Sequence, residues 1–417
     1  MDRRLAESPT MTRAEQTRAR YPDETGYVNR GGVRVFWERY GDGDQTIVLL
    51  PTWQIVHART WKAQVAFLAR HFRVITFDPR GNGRSDRPDE PAAYDRVELA
   101  DDAVAVMGAT GVERAVIVSL SRGAEDALLL IDRHPERVEG AVFLCPTVPL
   151  TPPPATQERF PFEGTLETDE GWAKQNRSYW LRDWRGYVEF FFSEMWSEPH
   201  STKQIEDAVG WALETDAPTV LRGEAARFLD EEETRAICSR VRVPALVVQG
   251  DRDRIIRPDG GRELASALGC QLVTLEGSGH GPHARDPVRF NLLVRDFARA
   301  PVPASRWVRA AARPRRALYI SSPIGLGHAR RDLAIANELR TLHPDLEIDW
   351  LAQDPVTRVV EAAGERIHPA SSQLASESRH IQSESSEHDL HCFQAIRRMD
   401  EILLANFMVF HDVVAND

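Results

Sequence analysis

The stretch Ala115-Val116-Ile117-Val118-Ser119-Leu120-Ser121-Arg122-Gly123 runs from an unbroken apolar segment into small residues, and a helical pattern opens at Ala124. A short β-branched run of this kind is the mark of a strand buried on both faces, which points to a parallel sheet. Between the strand and the helix there is room only for a sharp turn. Ser121, with Ser119 and Gly123 two residues to either side, fits a strained elbow in which the backbones approach closely and the neighbours must be small. Such a turn presents the Ser121 hydroxyl at the carboxyl edge of the sheet. It also aims the backbone N–H of Arg122 and the helix N-terminus at the place where negative charge develops during acyl transfer. The geometry favours Ser121 over Ser119 as a nucleophile; the structural alternative is a serine that caps its helix.

Working outward, the flanking chain repeats the alternation. Residues 27–40 and 46–50 read as strands split by Gly31-Gly32 and Gly41-Asp42-Gly43, an antiparallel start. Short apolar runs at 74–77, 138–144, 245–249 and 271–275 then alternate with helical patterns, as in a mostly parallel sheet covered on both faces. Phe290, Leu293, Val294 and Phe297 give the last helix of this region a buried stripe. Residues 151–230 break the alternation: they open on three prolines, hold helical segments and no strand, and read as an inserted cap. Five of the ten tryptophans (Trp172, Trp180, Trp184, Trp196, Trp211) and Phe190-Phe191-Phe192 fall there, a density suited either to an apolar pocket or to the core of a small helical insert.

A serine hydroxyl needs a histidine to take its proton, and the imidazole needs a carboxylate to fix its tautomer. The strand at 245–249 runs into Gly250-Asp251-Arg252-Asp253, which places a carboxylate, Asp251 or Asp253, at the carboxyl edge of the sheet. The strand at 271–275 leads through Gly277-Ser278-Gly279 to His280, with His283 a competitor three residues on. The chain order is Ser, Asp, His.

Several motifs in register make residues 26–298 resemble the α/β-hydrolase superfamily. Residues 78–86, Asp-Pro-Arg-Gly-Asn-Gly-Arg-Ser-Asp, resemble the family's loop after its fourth strand, and Ser121-Arg122-Gly123 its nucleophile elbow. Gly250 to Asp253 and Gly279-His280 resemble the acid and base turns, and Pro287 and Phe290 follow as in the family's final helix. The resemblance implies Ser121 as nucleophile, Asp253 as orienting acid, His280 as general base, and an oxyanion hole made by the backbone N–H groups of Arg122 and Trp53. It leaves Asp251 and His283 to loop hydrogen bonds. Two departures stand out: Ser119 where the family's elbow opens with glycine, and Pro51-Thr52 where His-Gly is common. The implied chemistry is a serine hydrolase of esterase type that cleaves an ester, thioester or lactone through an acyl-enzyme, with no cofactor and no metal. Serine at 121 argues against chemistry through an aspartyl ester. The alternative is a hydrolase-like module that binds without turnover.

Residues 299–316 carry six arginines, three prolines and no acidic residue, which marks a basic linker, placed at 299–315. Beyond it, residues 317–321 and 347–351 read as strands around a helix at 330–342, a partial Rossmann-like α/β unit spanning 316–417; residues 371–389, rich in Ser, Glu and His, read as a loop. Gly325-Leu326-Gly327-His328 and the helix after them make this segment resemble the start of a GT-B glycosyltransferase, without the second domain that binds most of the donor. This frames the second alternative, a glycosyltransferase-related fusion fragment. A partial sheet leaves apolar surface that self-association or a missing C-terminal domain would cover.

The whole chain fits this division. Its 417 residues exceed the size at which one core stops growing, and it divides into a polar extension (1–25), a hydrolase-like core (26–150 and 231–298), the cap (151–230), the linker and the C-terminal segment. With 52 Lys+Arg against 63 Asp+Glu the net charge is −11, which disfavours nucleic acid or an anionic membrane as partner and leaves a small apolar acyl substrate. The four cysteines are scattered without a CxxC pair, and no segment reaches the ~18 apolar residues of a membrane span, so the expectation is a cytoplasmic protein.

Overall fold

A computed structural model describes residues 17–158, 160–299, 315–323, 326–385 and 391–416. Most of the linker, residues 1–16 of the polar extension, Gly325 of the glycine motif and Ile324 before it lie outside the described residues. Two compact units divide between residues 21 and 22 and between residues 302 and 303.

In the larger unit, eight strands, β1 (Glu24–Arg30), β2 (Val33–Tyr40), β3 (Thr46–Leu49), β4 (Arg73–Phe77), β5 (Ala115–Leu120), β6 (Val138–Leu144), β7 (Ala245–Gly250) and β8 (Gln271–Leu275), form one sheet in the order β1-β2-β4-β3-β5-β6-β7-β8. β1 and β2 are antiparallel to each other, β2 is antiparallel to β4, and the remaining pairs are parallel. The turn between β1 and β2 needs Gly31 and Gly32, which hold φ 61° and 85°. At the sheet centre, Ile47, Val48, Ile117, Val118, Ala141 and Val142 are fully buried, as expected of strands covered on both faces. The mostly parallel sheet with helices on both sides is thus the one the sequence implies. β5 extends to Leu120, two residues past the expected end, so the strand delivers the chain directly into the elbow.

The covering helices of the larger unit are α1 (Lys62–Leu68), α2 (Arg96–Ala109), α3 (Gly123–Arg133), α4 (Ala155–Glu158), α5 (Arg177–Arg182), α6 (Trp184–Met195), α7 (Thr202–Ala212), α8 (Ala217–Glu224), α9 (Glu231–Arg240), α10 (Asp259–Leu268), α11 (Pro282–Arg285) and α12 (Pro287–Ala298). Helices α4 to α8 lie within the inserted segment, where no strand occurs among the described residues. Side chains define their starts: Asn176 caps α5, Asp183 caps α6 and Asp216 caps α8. A reciprocal Asp230/Glu233 capping box then starts α9 and returns the chain to the sheet layer.

The smaller unit holds β9 (Arg316–Ser321), α13 (Leu326–Leu342), β10 (Glu347–Ala352), α14 (Val356–Ala362), β11 (Arg366–Ile367), α15 (Glu377–Ser385), α16 (Cys392–Arg397) and α17 (Asp400–Asn416), with a parallel sheet in the order β11-β10-β9. Ala19, in the polar extension, belongs to it and donates its N–H to Glu401 at 3.0 Å. The stretch 371–389, expected as a loop, instead forms the end of a short 3₁₀ turn and all of α15; residues 386–390 lie outside the described ones. Tertiary contacts override its polar composition. Asn406 clamps Ala375 through both its amide groups (2.8 and 3.0 Å), and buried His380 bonds the Ala395 carbonyl at 2.9 Å. Of the eleven large apolar side chains exposed among the described residues, nine lie in this unit, with Phe393 at 80 % the most exposed.

Candidate active site

Ser121 occupies the left-handed region at φ 53°, which costs a non-glycine residue of the order of 1 kcal/mol or more and persists only when its surroundings impose it. The end of β6 imposes it here. Ser121 donates its N–H to Leu144 (3.0 Å), and the Ser121 carbonyl accepts from Thr147 and from Ala124, each at 3.0 Å. The departure at Ser119 is accommodated: the side chain is fully buried and its hydroxyl donates to the Val142 carbonyl at 3.4 Å. Gly123 is required sterically, since a Cβ there would lie 2.5 Å from the Pro51 carbonyl oxygen.

The acid and base candidates meet. His280 Nδ1 donates to Asp253 Oδ2 at 2.7 Å, with both side chains buried. The Asp253 carboxylate is saturated by design of its turn: Oδ1 accepts the N–H groups of Ile255 (2.9 Å) and Ile256 (3.0 Å), and Oδ2 also accepts Gln249 Nε2 at 3.1 Å. Asp251 is exposed and accepts the Gly277 N–H at 2.7 Å, a loop contact. His283 is buried against Trp61 and shares a 3.3 Å hydrogen bond with Thr60, with no carboxylate partner among the described residues. With Nδ1 engaged, His280 Nε2 has no hydrogen-bond partner among the described residues. Ser121 Oγ shares a 3.1 Å hydrogen bond with Thr147 Oγ1 and none with His280, although Ser121 and His280 line one cavity.

The Trp53 and Arg122 N–H groups have no acceptor among the described residues, the condition expected of donors kept for a ligand oxygen. Their loops are held from several sides. Asp78, in the loop after β4, accepts the Ala58 N–H at 3.0 Å and the Arg84 N–H at 2.9 Å, and Asn82 donates to the Gln54 carbonyl at 2.8 Å. Burial pushes the Asp78 carboxyl above its ordinary pKa, partly opposed by those N–H donors. Residues 78–86 therefore brace the segment 51–57 as a turn. The Arg122 side chain pairs with Glu224 at the end of α8, and its guanidinium lies over the Trp53 ring at 4.4 Å.

The cavity above these groups is lined by Ser121 and His280 together with Trp53, Phe191, Phe192, Met195 and Trp196 among its apolar walls. The cap aromatics therefore split between two roles. Phe191, Phe192 and Trp196 line the cavity, whereas Trp180 packs against Tyr187 (4.5 Å) and edge-on against Trp184 (5.6 Å), and Trp172 edge-on against Phe190 (5.2 Å), as core of the insert.

Four residues of the site escape sequence reasoning. Thr147 meets the Ser121 hydroxyl, Gln249 meets the acid, Glu224 meets Arg122, and Glu198 accepts the Gly279 N–H at 2.7 Å beside the base. None carries a local motif. Cys145, at φ 42° and buried, places its sulfur within 4.8 Å of ligand atoms of Asp253 and His280. Burial and the adjacent Asp253 charge push the thiol well above its usual pKa, so it remains protonated and is not a thiolate nucleophile.

Comparison with known proteins agrees with the fold. Residues 45–287 match the family described as alpha/beta hydrolase fold. The AB hydrolase superfamily protein YisY of Bacillus subtilis is 26 % identical over 273 residues, 64 % of this chain and 96 % of that protein. The bifunctional esterase/perhydrolase DCH of Acinetobacter calcoaceticus is 24 % identical over 284 residues, covering 66 % of this chain and all of the relative. Among solved structures, Est816, described as an N-acyl homoserine lactone degrading enzyme, superimposes with a TM-score of 0.55 at 27 % identity, covering 65 % of this chain and 100 % of that one. With more than half of its length matched, the chain belongs to the alpha/beta hydrolase fold family.

Proposed function

We propose that the protein is a serine hydrolase that cleaves an ester, thioester or lactone through an acyl-enzyme. The observation that carries this reading is the buried 2.7 Å Asp253–His280 hydrogen bond, opening onto the same apolar cavity as a serine strained at φ 53°. The similarity to an esterase and to a lactone-degrading enzyme supports the substrate class.

In this mechanism a bound acyl group draws the Ser121 hydroxyl from Thr147 to His280 Nε2, a tightening common when an unliganded site fills. Ser121 Oγ attacks the carbonyl carbon as its proton passes to Nε2. The oxyanion is received by the N–H groups of Arg122 and Trp53, each worth about 2.7–4 kcal/mol of transition-state stabilisation. Asp253 keeps the proton on Nδ1 and stabilises the imidazolium. The C–O or C–S bond breaks, His280 returns its proton to the leaving alkoxide or thiolate, and water, deprotonated by the same nitrogen, releases the acid and regenerates Ser121. The chain and water supply every group used.

A panel of esters and lactones of graded acyl length, run with fluorophosphonate labelling on wild type and Ser121→Ala, tests the reading. Turnover and labelling that vanish together in the variant are expected; labelling that persists would refute it. Tight binding of acyl ligands without turnover would instead favour a binding module, the reading for which the Ser121–Thr147 hydrogen bond speaks. For residues 316–417 the parallel β9-α13-β10 unit supports the GT-B-like reading as a separate proposal, and a failure to bind any nucleotide sugar in calorimetry would count against it.

A further inference from the structure

We propose that Glu224 is a positioning residue that ties the cap to the oxyanion hole, holding Arg122 and, through the Arg122 guanidinium, the indole of Trp53. The inference rests on the serine hydrolase reading for its chemical consequence, and on geometry alone for the physical link.

Glu224 is the last residue of α8, a helix of the inserted cap. Both its oxygens engage the Arg122 guanidinium, the Oε2 contact at 3.2 Å, in the fork geometry that fixes orientation as well as distance. Burial works against the Arg122 charge, and the Glu224 carboxylate beside it is the largest opposing influence, so the Arg122 pKa is raised on balance. The guanidinium lies within cation–π distance of two rings, Trp53 at 4.4 Å and Phe228 at 5.4 Å. The Trp53 ring also meets two cap aromatics, Phe191 edge-on at 5.5 Å and Trp180 at 6.0 Å. Its indole N–H is buried without a partner among the described residues, so no hydrogen bond from the ring anchors Trp53. Ring packing positions this residue, and the Arg122 guanidinium over the ring is part of that packing.

A second contact brings the same helix to the same loop. Gly223 lies so close to the Gln54 side chain that a Cβ there would sit 2.5 Å from Gln54 Nε2. Arg122 is also held at its carbonyl by Arg96, which is anchored on Asp126 at 2.8 Å. With its carbonyl fixed from the core and its side chain fixed from the cap, Arg122 has its backbone N–H aimed by both. The two proposed oxyanion donors, Arg122 and Trp53, belong to separate loops, and the Glu224–Arg122–Trp53 chain is the link that sets their spacing.

The test compares an ester with its thionoester analogue, whose sulfur accepts hydrogen bonds weakly and so draws little from an oxyanion hole, and follows amide hydrogen exchange of residues 50–57. Glu224→Gln, which keeps shape and removes charge, should lower kcat/KM for the ester about tenfold through kcat, with KM nearly constant and the thionoester reduced less than about threefold. Exchange at 50–57 should accelerate. Arg122→Lys, which keeps charge and loses the fork, should behave alike, and Glu224→Asp should recover part of the ester rate. Equal losses on both substrates, or no loss, with exchange unchanged would overturn the proposal. If wild type turns over neither substrate while exchange still accelerates in Glu224→Gln, the hydrolase reading falls and the link stands.

Discussion

Asp253 and His283 both lie close to His280 and serve opposite ends. Asp253 Oδ1 takes two backbone N–H groups while Oδ2 takes His280. In Asp253→Asn the backbone bonds can persist through the amide oxygen, but the amide nitrogen then faces Nδ1 and forces the proton onto Nε2, where it blocks base catalysis. Turnover should fall about 10⁴-fold at neutral pH in steady-state assays, with little change in melting temperature. His283 is fully buried, and desolvation, aided by the nearby His280, lowers its pKa to about 3. An unfolded histidine titrates near pH ~6.5, so below that value the unfolded chain binds a proton the folded one refuses. Its neutral burial therefore costs nothing above about pH 6.5 and removes stability progressively as pH falls toward 3. His283→Gln should narrow the difference in melting temperature between pH 7.5 and pH 5 as measured by calorimetry; an unchanged difference would place the acid sensitivity elsewhere.

At the scale of elements, the cap is a stack of rings on short helices, and its stability rests on few side chains. Trp180 is fully buried among Tyr187, Trp184, Phe162 and Trp53, yet its indole N–H has no partner among the described residues. Trp180→Ala should cost about 3–5 kcal/mol in denaturant unfolding of the cap. Trp180→Phe should cost clearly less, because it removes an unsatisfied donor along with part of the volume. Composition announced the cluster but not its division, since Phe191 and Phe190 are adjacent and face opposite ways, one toward the cavity and one toward Trp172. The strands were legible because burial on both faces demands unbroken apolar runs, and the elbow because its strain demands small neighbours. Glu224 and Thr147 were not, since each reaches the site from an element distant in sequence and neither position constrains its neighbours. Residues 371–389 misled for a related reason: α15 buries one face through His380 and leaves Ser and Glu on the others, so its average composition resembles a loop.

For the whole molecule, every group assigned to the chemistry lies within residues 22–302, a unit that closes its own sheet and carries its own cap. The comparisons agree: alignments of 273 and 284 residues cover 96 % and 100 % of two relatives but 64 % and 66 % of this chain, and the family match ends at residue 287. The exposed apolar side chains concentrate in the smaller unit, whose three-stranded sheet supports a core of only a few residues around Trp350. A chain cut to residues 22–302 should therefore fold, melt cooperatively, and hydrolyse the ester panel with kcat/KM within about twofold of the full chain. His328→Ala in the full chain should be equally silent toward esters. Loss of turnover in the shortened chain, with its cooperative melt intact, would show that the C-terminal unit contributes to the reaction and would move the search for substrate specificity beyond the cap.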